Sequence, residues 1–303
     1  MPKVSVNLCC YNSEPYLEET LASVFGQSFQ DFELVIVNDG SKDQTDAIIR
    51  RHMDAGRPVI YHAQANAGLG AARNKALELS SGELIAIIDH DDVWEHDKLA
   101  KIIPLFDRPQ VAFAGSDAVF IDSQGRRLSR YSDGIVLSRG RILKDLFLQN
   151  FVPCAAAVMR RSAIAQAGGF FRPDFHIAEE YELFLRLAEK GEFDFIPEPL
   201  VRIRVHAASA GWDFRKERLE LKLIYSECLR RNPDLVASIG PRLVAVKEAG
   251  LWVGPELAQA FCGKGPASLR LKALGLCALA CFPGLADTLR DLKRRLFRLA
   301  AAR

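Results

Sequence analysis

Three carboxylates crowd into four positions directly after an apolar segment. Asp89, Asp91 and Asp92 follow the run Leu84–Ile88. Carboxylates this close repel one another unless a cation neutralises them, and Mg²⁺ and Mn²⁺ prefer oxygen ligands of this kind. Because Mg²⁺ fills most of its shell with water and substrate phosphates, the pattern predicts a divalent metal shared with a diphosphate substrate. The alternative is that Asp92 caps a helix over 94–106 while the other carboxylates face water.

A second polar turn follows the apolar run Leu34–Val37. It contains Asp39, Gly40 and Ser41, which are a carboxylate, a flexible glycine and a hydroxyl. Asp39 can accept hydrogen bonds from the N–H of a base or the hydroxyls of a ribose. The alternative is an ordinary strand-to-helix turn with a cap.

A third candidate is Arg73, which follows Gly68 and Gly70 by about one helical turn. Helix N-termini and guanidinium groups both suit phosphate oxygens, so Arg73 is a candidate diphosphate contact. The glycine spacing matches neither a Walker loop nor the dinucleotide fingerprint.

Glu179 and Glu180 lie at the start of a segment, 178–190, that has an apolar stripe at helical spacing. One of them can deprotonate a hydroxyl group. The alternative is that both are surface residues placed where the helix dipole favours negative charge.

The segment Val201–His206 alternates like a strand, which places Arg202, Arg204 and His206 on one face. His206 can complete a metal shell or hold a phosphate. The alternative is a surface histidine without such a role.

These polar residues need elements that hold them together. Apolar runs at Val4–Leu8, Leu34–Val37 and Leu84–Ile88 read as buried strands, and segments of helical period lie between them. Two further strand segments are expected at 111–114 and 118–122. Alternating strands and helices predict an α/β fold, in which a mostly parallel central sheet is flanked by helices. Such sheets bind ligands beyond the carboxyl ends of their strands, where the candidate residues fall.

The chain divides in composition near residue 211. We expect an α/β domain over 1–211 and a helical C-terminal extension over 212–303, which prolines cut into short helices. Within 285–300, leucines recur at spacings of three and four among basic residues, which predicts an amphipathic basic helix. This helix suits an anionic membrane surface, or packing on preceding helices or a second copy of the chain.

The composition of the chain bears on its expected partners and cellular location. The 303 residues are 49% hydrophobic with a formal charge of +2, so the overall charge gives no reason to expect nucleic acid as a partner. Seven cysteines form no recognisable disulfide or zinc pattern, which favours free thiols in a reducing cytosol. We expect no signal peptide and no transmembrane segment. The predicted location is therefore cytoplasmic, with the basic helix offering contact with the inner face of the membrane.

Taken together and in order, these motifs resemble glycosyltransferase family 2, whose members have the GT-A fold. The similarity spans Val4–Ser209, and its most specific parts also include the pair Tyr11-Asn12. The resemblance implies that Tyr11, Asn12 and Asp39 contact the nucleoside. It also implies that Arg73 contacts the diphosphate and that Asp89 and Asp91 contact the ribose and the metal. Arg204 would contact the nucleotide sugar, and His206 would bind the metal. Glu180, with Glu179 beside it, would be the catalytic base.

Two departures from the family pattern stand out. Cys9 occupies a position where many relatives have proline, and Glu180 stands where the usual base is an aspartate. Glutamate has the same chemistry with one extra methylene, so the acceptor would lie correspondingly further away.

The resemblance implies an inverting glycosyltransferase that uses Mn²⁺ or Mg²⁺ and a nucleotide-sugar donor, with UDP-sugars as the first expectation. The acceptor would be a saccharide or a lipid-linked acceptor, in cell-surface polysaccharide or glycolipid synthesis. The motif of processive relatives is not found, which favours single addition. Two alternatives stay open, a nucleotidyltransferase and a non-catalytic module that binds nucleotide sugars.

Overall fold

The computed structural model of the chain describes residues 1–133, 135–206, 214–240, 244, 245 and 247. They belong to two compact units. The first takes in residues 1–142 and 151–206, and the second takes in 143–150 and the described residues from 214 onward. The boundary predicted at residues 211–212 falls outside the described residues.

The first unit is a sheet with flanking helices. Its strands, β1 to β9 in chain order, are Val4–Cys10, Phe32–Asn38, Val59–Ala63, Leu84–Asp89, Val93–Trp94, Val111–Ile121, Arg127–Arg130, Val158–Arg160 and Glu192–Arg204. The described α-helices of both units, α1 to α9, are Leu17–Phe25, Thr45–Asp54, Leu69–Leu79, Lys98–Ile102, Leu143–Leu148, Arg161–Gln166, Glu179–Lys190, Phe214–Arg231 and Pro233–Ile239. Short 3₁₀ helices cover Ile103–Asp107 and Cys154–Ala156.

The first half of the sheet is parallel. Its strands run in the order β3-β2-β1-β4, and each neighbouring pair is parallel. All seven residues of β1 are buried, as expected for a strand that has sheet neighbours on both sides and helices on its faces. Parallel strands point the same way, so β1, β2 and β4 end at one edge of the sheet.

The second half of the sheet is mixed rather than parallel. From β4 the order continues β8-β6-β9-β5, with β7 paired to β6. The pairs that include β8, β5 or β7 are antiparallel, whereas β6 and β9 are parallel. The prediction of a mostly parallel sheet therefore describes β1 to β4, whereas the later strands run in both directions.

Two predicted elements differ from those observed. The helix expected over 94–106 is interrupted, since Val93 and Trp94 form β5 and pair with Arg202 and Val201 of β9. The two strands expected at 111–114 and 118–122 are one long strand, β6, whose register against β9 shifts between Ser116 and Ala118.

The second unit contains a buried lysine. Lys247 donates to the carbonyl of Leu148 at 2.7 Å and to the hydroxyl of Tyr225 at 3.3 Å. Its ammonium lies 4.6 Å from the centre of the Tyr225 ring. Helices α8 and α9 agree with a helical C-terminal region up to residue 240.

Among the helices that the structure describes, none has the length and apolar character needed to cross a bilayer. The amphipathic basic helix predicted at 285–300 lies outside the described residues, so its role stays a prediction.

Candidate active site

The candidate residues gather at the edge where β1, β2 and β4 end. The loop after β1 begins at Tyr11, the loop after β2 begins at Asp39, and Asp89 is the last residue of β4. Neighbouring strands bring these loops side by side, because Cys10 pairs with Asn38 in the sheet register.

Asn12 joins the first two loops. Its backbone has a φ of 51°, in the left-handed region that asparagine tolerates better than most residues. The Asn12 N–H donates to Ser41 Oγ at 3.0 Å, and the Lys42 N–H donates to Asn12 Oδ1 at 2.9 Å. Beside this junction the Tyr11 side chain is exposed, so its ring is open for stacking. The nucleoside contacts of Tyr11 and Asn12 stay predictions.

Asp39 is buried and shapes the turn before α3. Its Oδ1 accepts from Gln64 Nε2 at 2.7 Å and from the Ala67 N–H at 2.9 Å, and its Oδ2 accepts from the Gly68 N–H at 2.9 Å. Gly68 has a φ of 90°, where only glycine is unstrained. The helix that follows this loop, α2, has no side-chain cap. The nucleoside contact of Asp39 stays a prediction.

Arg73 lies inside a cluster of three carboxyl groups. Its side chain is 3% exposed, with Nη2 2.9 Å from Asp89 Oδ1. Its Nη1 lies 3.3 Å from Glu179 Oε1 and 3.8 Å from Glu180 Oε2, and its guanidinium carbon is 5.1 Å from the centre of the Phe171 ring. The fold thus unites α3, the end of β4 and the start of α7 around one cation. The predicted diphosphate contact stays a prediction, in a position already occupied by these carboxylates.

The loop that carries Phe171 is fixed from two sides. Asn74 Nδ2 donates to the Phe171 carbonyl at 2.8 Å, and the Phe171 N–H donates to Asn74 Oδ1 at 3.0 Å. The Arg186 guanidinium donates to the carbonyls of Ala167, Gly169 and Phe170. These bonds hold the aromatic ring against Arg73, so the guanidinium is anchored by packing as well as by charge.

Glu179 and Glu180 begin α7, which confirms the predicted helix start. Glu179 is 2% exposed, and its burial, followed by the neighbouring charge of Glu180, raises its pKa to about 8. Arg73 acts in the opposite direction but does not outweigh burial. Glu180 is partly exposed at 26% of its side chain. Of the two, Glu180 is therefore the carboxylate that a substrate can reach.

A second grouping joins the loop after β4 to the end of β9. Asp91 Oδ2 lies 2.9 Å from His206 Nε2. The His206 ring centre is 4.8 Å from that of Tyr16, which holds the imidazole from its other side. His206 follows the strand rather than belonging to it, since β9 ends at Arg204.

Asp91 and His206 suit a divalent cation that substrate completes. Carboxylate oxygen and imidazole nitrogen are both ligands of Mn²⁺, and Mg²⁺ usually takes only one or two protein carboxylates. In the part of the chain that the structure describes, no group of three or more His, Cys, Asp and Glu side chains is arranged around one metal position. The donors therefore fit a substrate-bridged site better than a closed structural one. Asp89, the third predicted ligand, is engaged by Arg73.

Arg204 is buried within the protein. Its Nε donates to the Asp91 carbonyl at 3.0 Å, its Nη1 to the Asp122 carbonyl at 3.2 Å, and its Nη2 to Glu19 Oε2 at 2.5 Å. The guanidinium also lies over the Tyr16 ring at 4.7 Å. With 2% of its side chain exposed, Arg204 fixes the backbone that carries Asp91. Its predicted contact with the nucleotide sugar stays a prediction.

Asp92 does not cap a helix, so that alternative is wrong. Its Oδ1 accepts from the Arg204 N–H at 2.9 Å, and the residue is buried. The next helix, α4, begins after Asp97 and has no side-chain cap. Burial, with the charges of Asp91 and Asp89 beside it, raises the pKa of Asp92 well above its usual value.

Several supporting residues carry no signal in the sequence. Glu19 and Tyr16 belong to the start of α1, and Asn74 and Phe171 are separated by 97 residues. Glutamate in a first helical turn and an isolated aromatic residue are common features of surface helices and cores. Only the three-dimensional fold shows that they hold Arg204, His206 and Arg73.

The chain is similar in sequence to known glycosyltransferases. The family model described as "Glycosyl transferase family 2" matches residues 5–168. The Bacillus subtilis protein named "Putative teichuronic acid biosynthesis glycosyltransferase TuaG" is 30% identical over 192 residues, which cover 63% of this chain and 73% of that protein.

Solved structures with a similar fold include two glycosyltransferases. S. aureus TarS in complex with UDP-GlcNAc has a TM-score of 0.65 and 19% identity, covering 92% of this chain and 81% of that one. The mannosyltransferase PcManGT from Pyrobaculum calidifontis, in complex with GDP-Man and Mn²⁺, has a TM-score of 0.61 and 20% identity, covering 96% and 87%. The predicted GT-A type α/β fold is confirmed.

Proposed function

Because this chain belongs to glycosyl transferase family 2, we propose that it transfers one sugar from a nucleoside-diphosphate donor to a saccharide or lipid-linked acceptor, with inversion at the anomeric carbon. Membership confirms the resemblance seen in the sequence, and glycosyltransferase activity follows from it. The donor, the acceptor, the stereochemistry and the use of a metal are our proposal.

One observation carries the proposal. The fold brings Glu180 to Arg73, which also binds Asp89, and Asp89 lies two residues before the Asp91–His206 pair. A partly exposed carboxylate is thereby placed close to the loop whose ligands suit a metal and a diphosphate. A general base and a leaving-group site are the two parts that a single displacement needs.

In the proposed reaction, the acceptor hydroxyl oxygen attacks the anomeric carbon of the donor sugar. Its proton passes to the Glu180 carboxylate as the new carbon–oxygen bond forms. The bond between the anomeric carbon and the diphosphate oxygen breaks, and the electron pair leaves with the nucleoside diphosphate. Attack opposite to the leaving group inverts the configuration.

The remaining residues hold these groups in place. Arg73 orients Asp89 and Glu180, and Arg204 fixes the backbone of Asp91. When bound, a divalent cation held by Asp91 and His206, with Asp89 near it, would supply positive charge against the diphosphate. Tyr11 offers an exposed ring on which the base can stack.

Similar proteins suggest the donor and the setting. The name of the Bacillus subtilis relative refers to teichuronic acid biosynthesis, and TarS was solved with UDP-GlcNAc. We therefore propose a UDP-sugar as donor and cell-surface polysaccharide synthesis as the setting. PcManGT was solved with GDP-Man and Mn²⁺, so GDP-sugars belong in the same test.

The test is release of nucleoside diphosphate from a panel of UDP- and GDP-sugars, with Mn²⁺, with Mg²⁺ and with chelator. Wild type, Asp91→Ala and Glu180→Gln are compared. Asp97→Asn is a matched surface control, because the Asp97 side chain is 43% exposed and pairs with Lys101. We expect metal-dependent release that the first two substitutions abolish and the control retains. Release of pyrophosphate would indicate nucleotidyl transfer, and binding without release, even with acceptors present, would overturn the transferase proposal.

A further inference from the structure

Three carboxyl groups share one buried guanidinium. Asp89, Glu179 and Glu180 all lie within 4 Å of Arg73 atoms, at 2.9, 3.3 and 3.8 Å. One positive charge neutralises one carboxylate, and like charges held this close disfavour joint ionisation. We therefore expect at least one of the three carboxyl groups to be protonated.

Two carboxylate oxygens that lack a hydrogen-bond donor indicate where the proton lies. Glu179 Oε2 and Glu180 Oε2 are both buried and have no hydrogen-bond donor. A buried carboxylate oxygen without a donor is strongly unfavourable. Both side chains approach the same Arg73 nitrogen, Nη1, at 3.3 and 3.8 Å, so the two carboxyl groups lie at one side of the guanidinium. One proton between them therefore satisfies both oxygens.

The greater burial of Glu179 decides which carboxyl keeps that proton. Glu179 is 2% exposed, whereas the Glu180 side chain is 26% exposed and reaches solvent. Burial disfavours the charged form, so the neutral acid belongs on Glu179 and the ionised form on Glu180.

The departure from the family pattern fits this arrangement. Successive helix positions diverge, so adjacent residues do not ordinarily face each other. Glu179 and Glu180 nevertheless reach the same Arg73 nitrogen, Nη1. The extra methylene of Glu180, relative to the aspartate usual at this position, gives the length needed to bend back toward Glu179 and Arg73.

We propose that Glu179 is the positioning residue of the base: a neutral carboxylic acid that donates its proton in a hydrogen bond to Glu180 and leaves Glu180 as the single ionised member of the pair. This inference rests on the proposed function, in which Glu180 is the base. Glu179 holds Glu180 at Arg73 and touches neither donor nor acceptor.

The other charged and titratable groups around the pair agree with this assignment. Arg73 faces Glu179 from α3, Asp89 lies across the guanidinium at the end of β4, and Cys154 approaches from the 3₁₀ helix. Burial raises the pKa of the Cys154 thiol, so it adds no charge. The pKa of Glu179 itself is raised to about 8, which keeps its proton in place at neutral pH.

The kinetic test uses the full chain and the nucleotide sugar that gives the fastest release of nucleoside diphosphate. Glu179→Leu removes the donated hydrogen bond, and we expect kcat to fall about 10- to 100-fold with the donor KM changed less than about twofold. Glu179→Gln keeps a neutral donor, so it should recover kcat to within about fivefold of wild type. It should also remove the inflection near pH 8 from the pH–rate profile.

Glu78→Gln is the matched control, because Glu78 is exposed on α3 and pairs with Lys75. The inference is overturned if Glu179→Gln is as damaging as Glu180→Gln, since Glu179 would then have to be ionised. It is also overturned if the wild-type and Glu179→Gln pH profiles coincide.

A second measurement does not depend on turnover. Glutamate labelled with ¹³C at Cδ is titrated by NMR in wild type and in Glu179→Gln, and the resonance that disappears in the variant is that of Glu179. We expect this resonance to titrate near pH 8, as the raised pKa implies. A midpoint below about pH 6 would overturn the inference. If wild type released no nucleoside diphosphate, the proposed function would be contradicted. The titration would still determine the protonation state of Glu179.

Discussion

Asp91 Oδ2 and His206 Nε2 are 2.9 Å apart, although 115 residues separate them in the chain. The contact joins the loop after β4 to the residue that closely follows β9. Arg204 reinforces it by donating to the Asp91 carbonyl, and Asp92 accepts from the Arg204 N–H. The position of the candidate metal ligands therefore depends on β9 lying beside this loop, as the pairing of Val93 with Arg202 shows it does.

Asp91→Asn and His206→Ala should each weaken activation by Mn²⁺. Either change removes one of two protein ligands, so the metal concentration that gives half-maximal release should rise by at least about tenfold. Release of nucleoside diphosphate is measured against Mn²⁺ concentration, with Asp97→Asn as control. Equal activation curves for wild type and both variants would show that this pair does not hold the metal.

Glu180→Gln should lower kcat by about 100- to 10,000-fold, because the amide cannot take the acceptor proton. Donor affinity should change little, since Glu180 acts on the acceptor. Single-turnover kinetics and equilibrium binding of the donor separate the two effects. A variant with near wild-type kcat would move the role of base to another group.

The stability of the fold should depend on pH through Glu179. Its pKa is about 8 in the folded chain and near 4.5 when unfolded, so between these values the folded state holds one proton more. The free energy of unfolding therefore falls as pH rises from 4.5 to 8, by at most about 1.4 kcal/mol per pH unit from this group. Urea unfolding of wild type and Glu179→Gln at pH 5.5 and 8 checks it. Relative to wild type, the free energy of unfolding of Glu179→Gln should be higher at pH 8 than at pH 5.5. An equal difference at the two pH values would contradict the prediction.

Asp39→Asn should destabilise the turn before α3. Asp39 accepts from Gln64 and from the backbone of Ala67 and Gly68, and an amide would turn its own N–H groups toward one of these donors. We expect a loss of about 1–3 kcal/mol in the free energy of unfolding, together with a higher donor KM. Chemical denaturation and initial rates measure the two quantities. Asp31→Asn, at an exposed position, is the control and should leave both unchanged.

Lys98→Met should stabilise the first unit at neutral pH. The Lys98 amine is fully buried, lies 3.7 Å from the centre of the Trp94 ring and has no hydrogen-bond partner. Burial holds its pKa well below the usual value, so the unfolded chain binds a proton that the folded chain does not. Wild-type stability should then rise with pH toward 10.5, and the advantage of the methionine variant should shrink. Thermal unfolding at pH 7 and 9.5 tests this, and a variant less stable than wild type at pH 7 would refute it.

The sequence predicted the local elements well where one strong pattern decided them. The strands β1, β2 and β4 are rich in buried apolar residues, and the polar residues that follow them lie at the expected edge. Residues 59–63 gave no such signal, because an edge strand with partly exposed residues lacks a continuous apolar run. Trp94 falls within the helix expected over 94–106, but pairing with the distant strand β9 makes it extended.

The arrangement of the site was less accessible to sequence reasoning. Arg73 and Glu179 are 106 residues apart, and no spacing rule links residues across that distance. A sequence pattern predicts a substrate contact for Arg73, and the family resemblance implies one for Arg204. The side chains of both residues lie almost wholly inside the protein. Burial is set by which elements pack together, so the difference between touching a ligand and holding its neighbours appears only in the folded chain.

The distance in sequence between Asp91 and His206 also has a consequence for synthesis on the ribosome. The chain grows at about 5–20 residues per second, so the 115 residues between them take on the order of 6–20 s to be made. Throughout that interval the nascent chain already carries Asp89, Asp91 and Asp92 but lacks the strand and imidazole that fix them. A growing polypeptide cannot form the contact between Asp91 and His206 early, because the contact requires β9 to be in place.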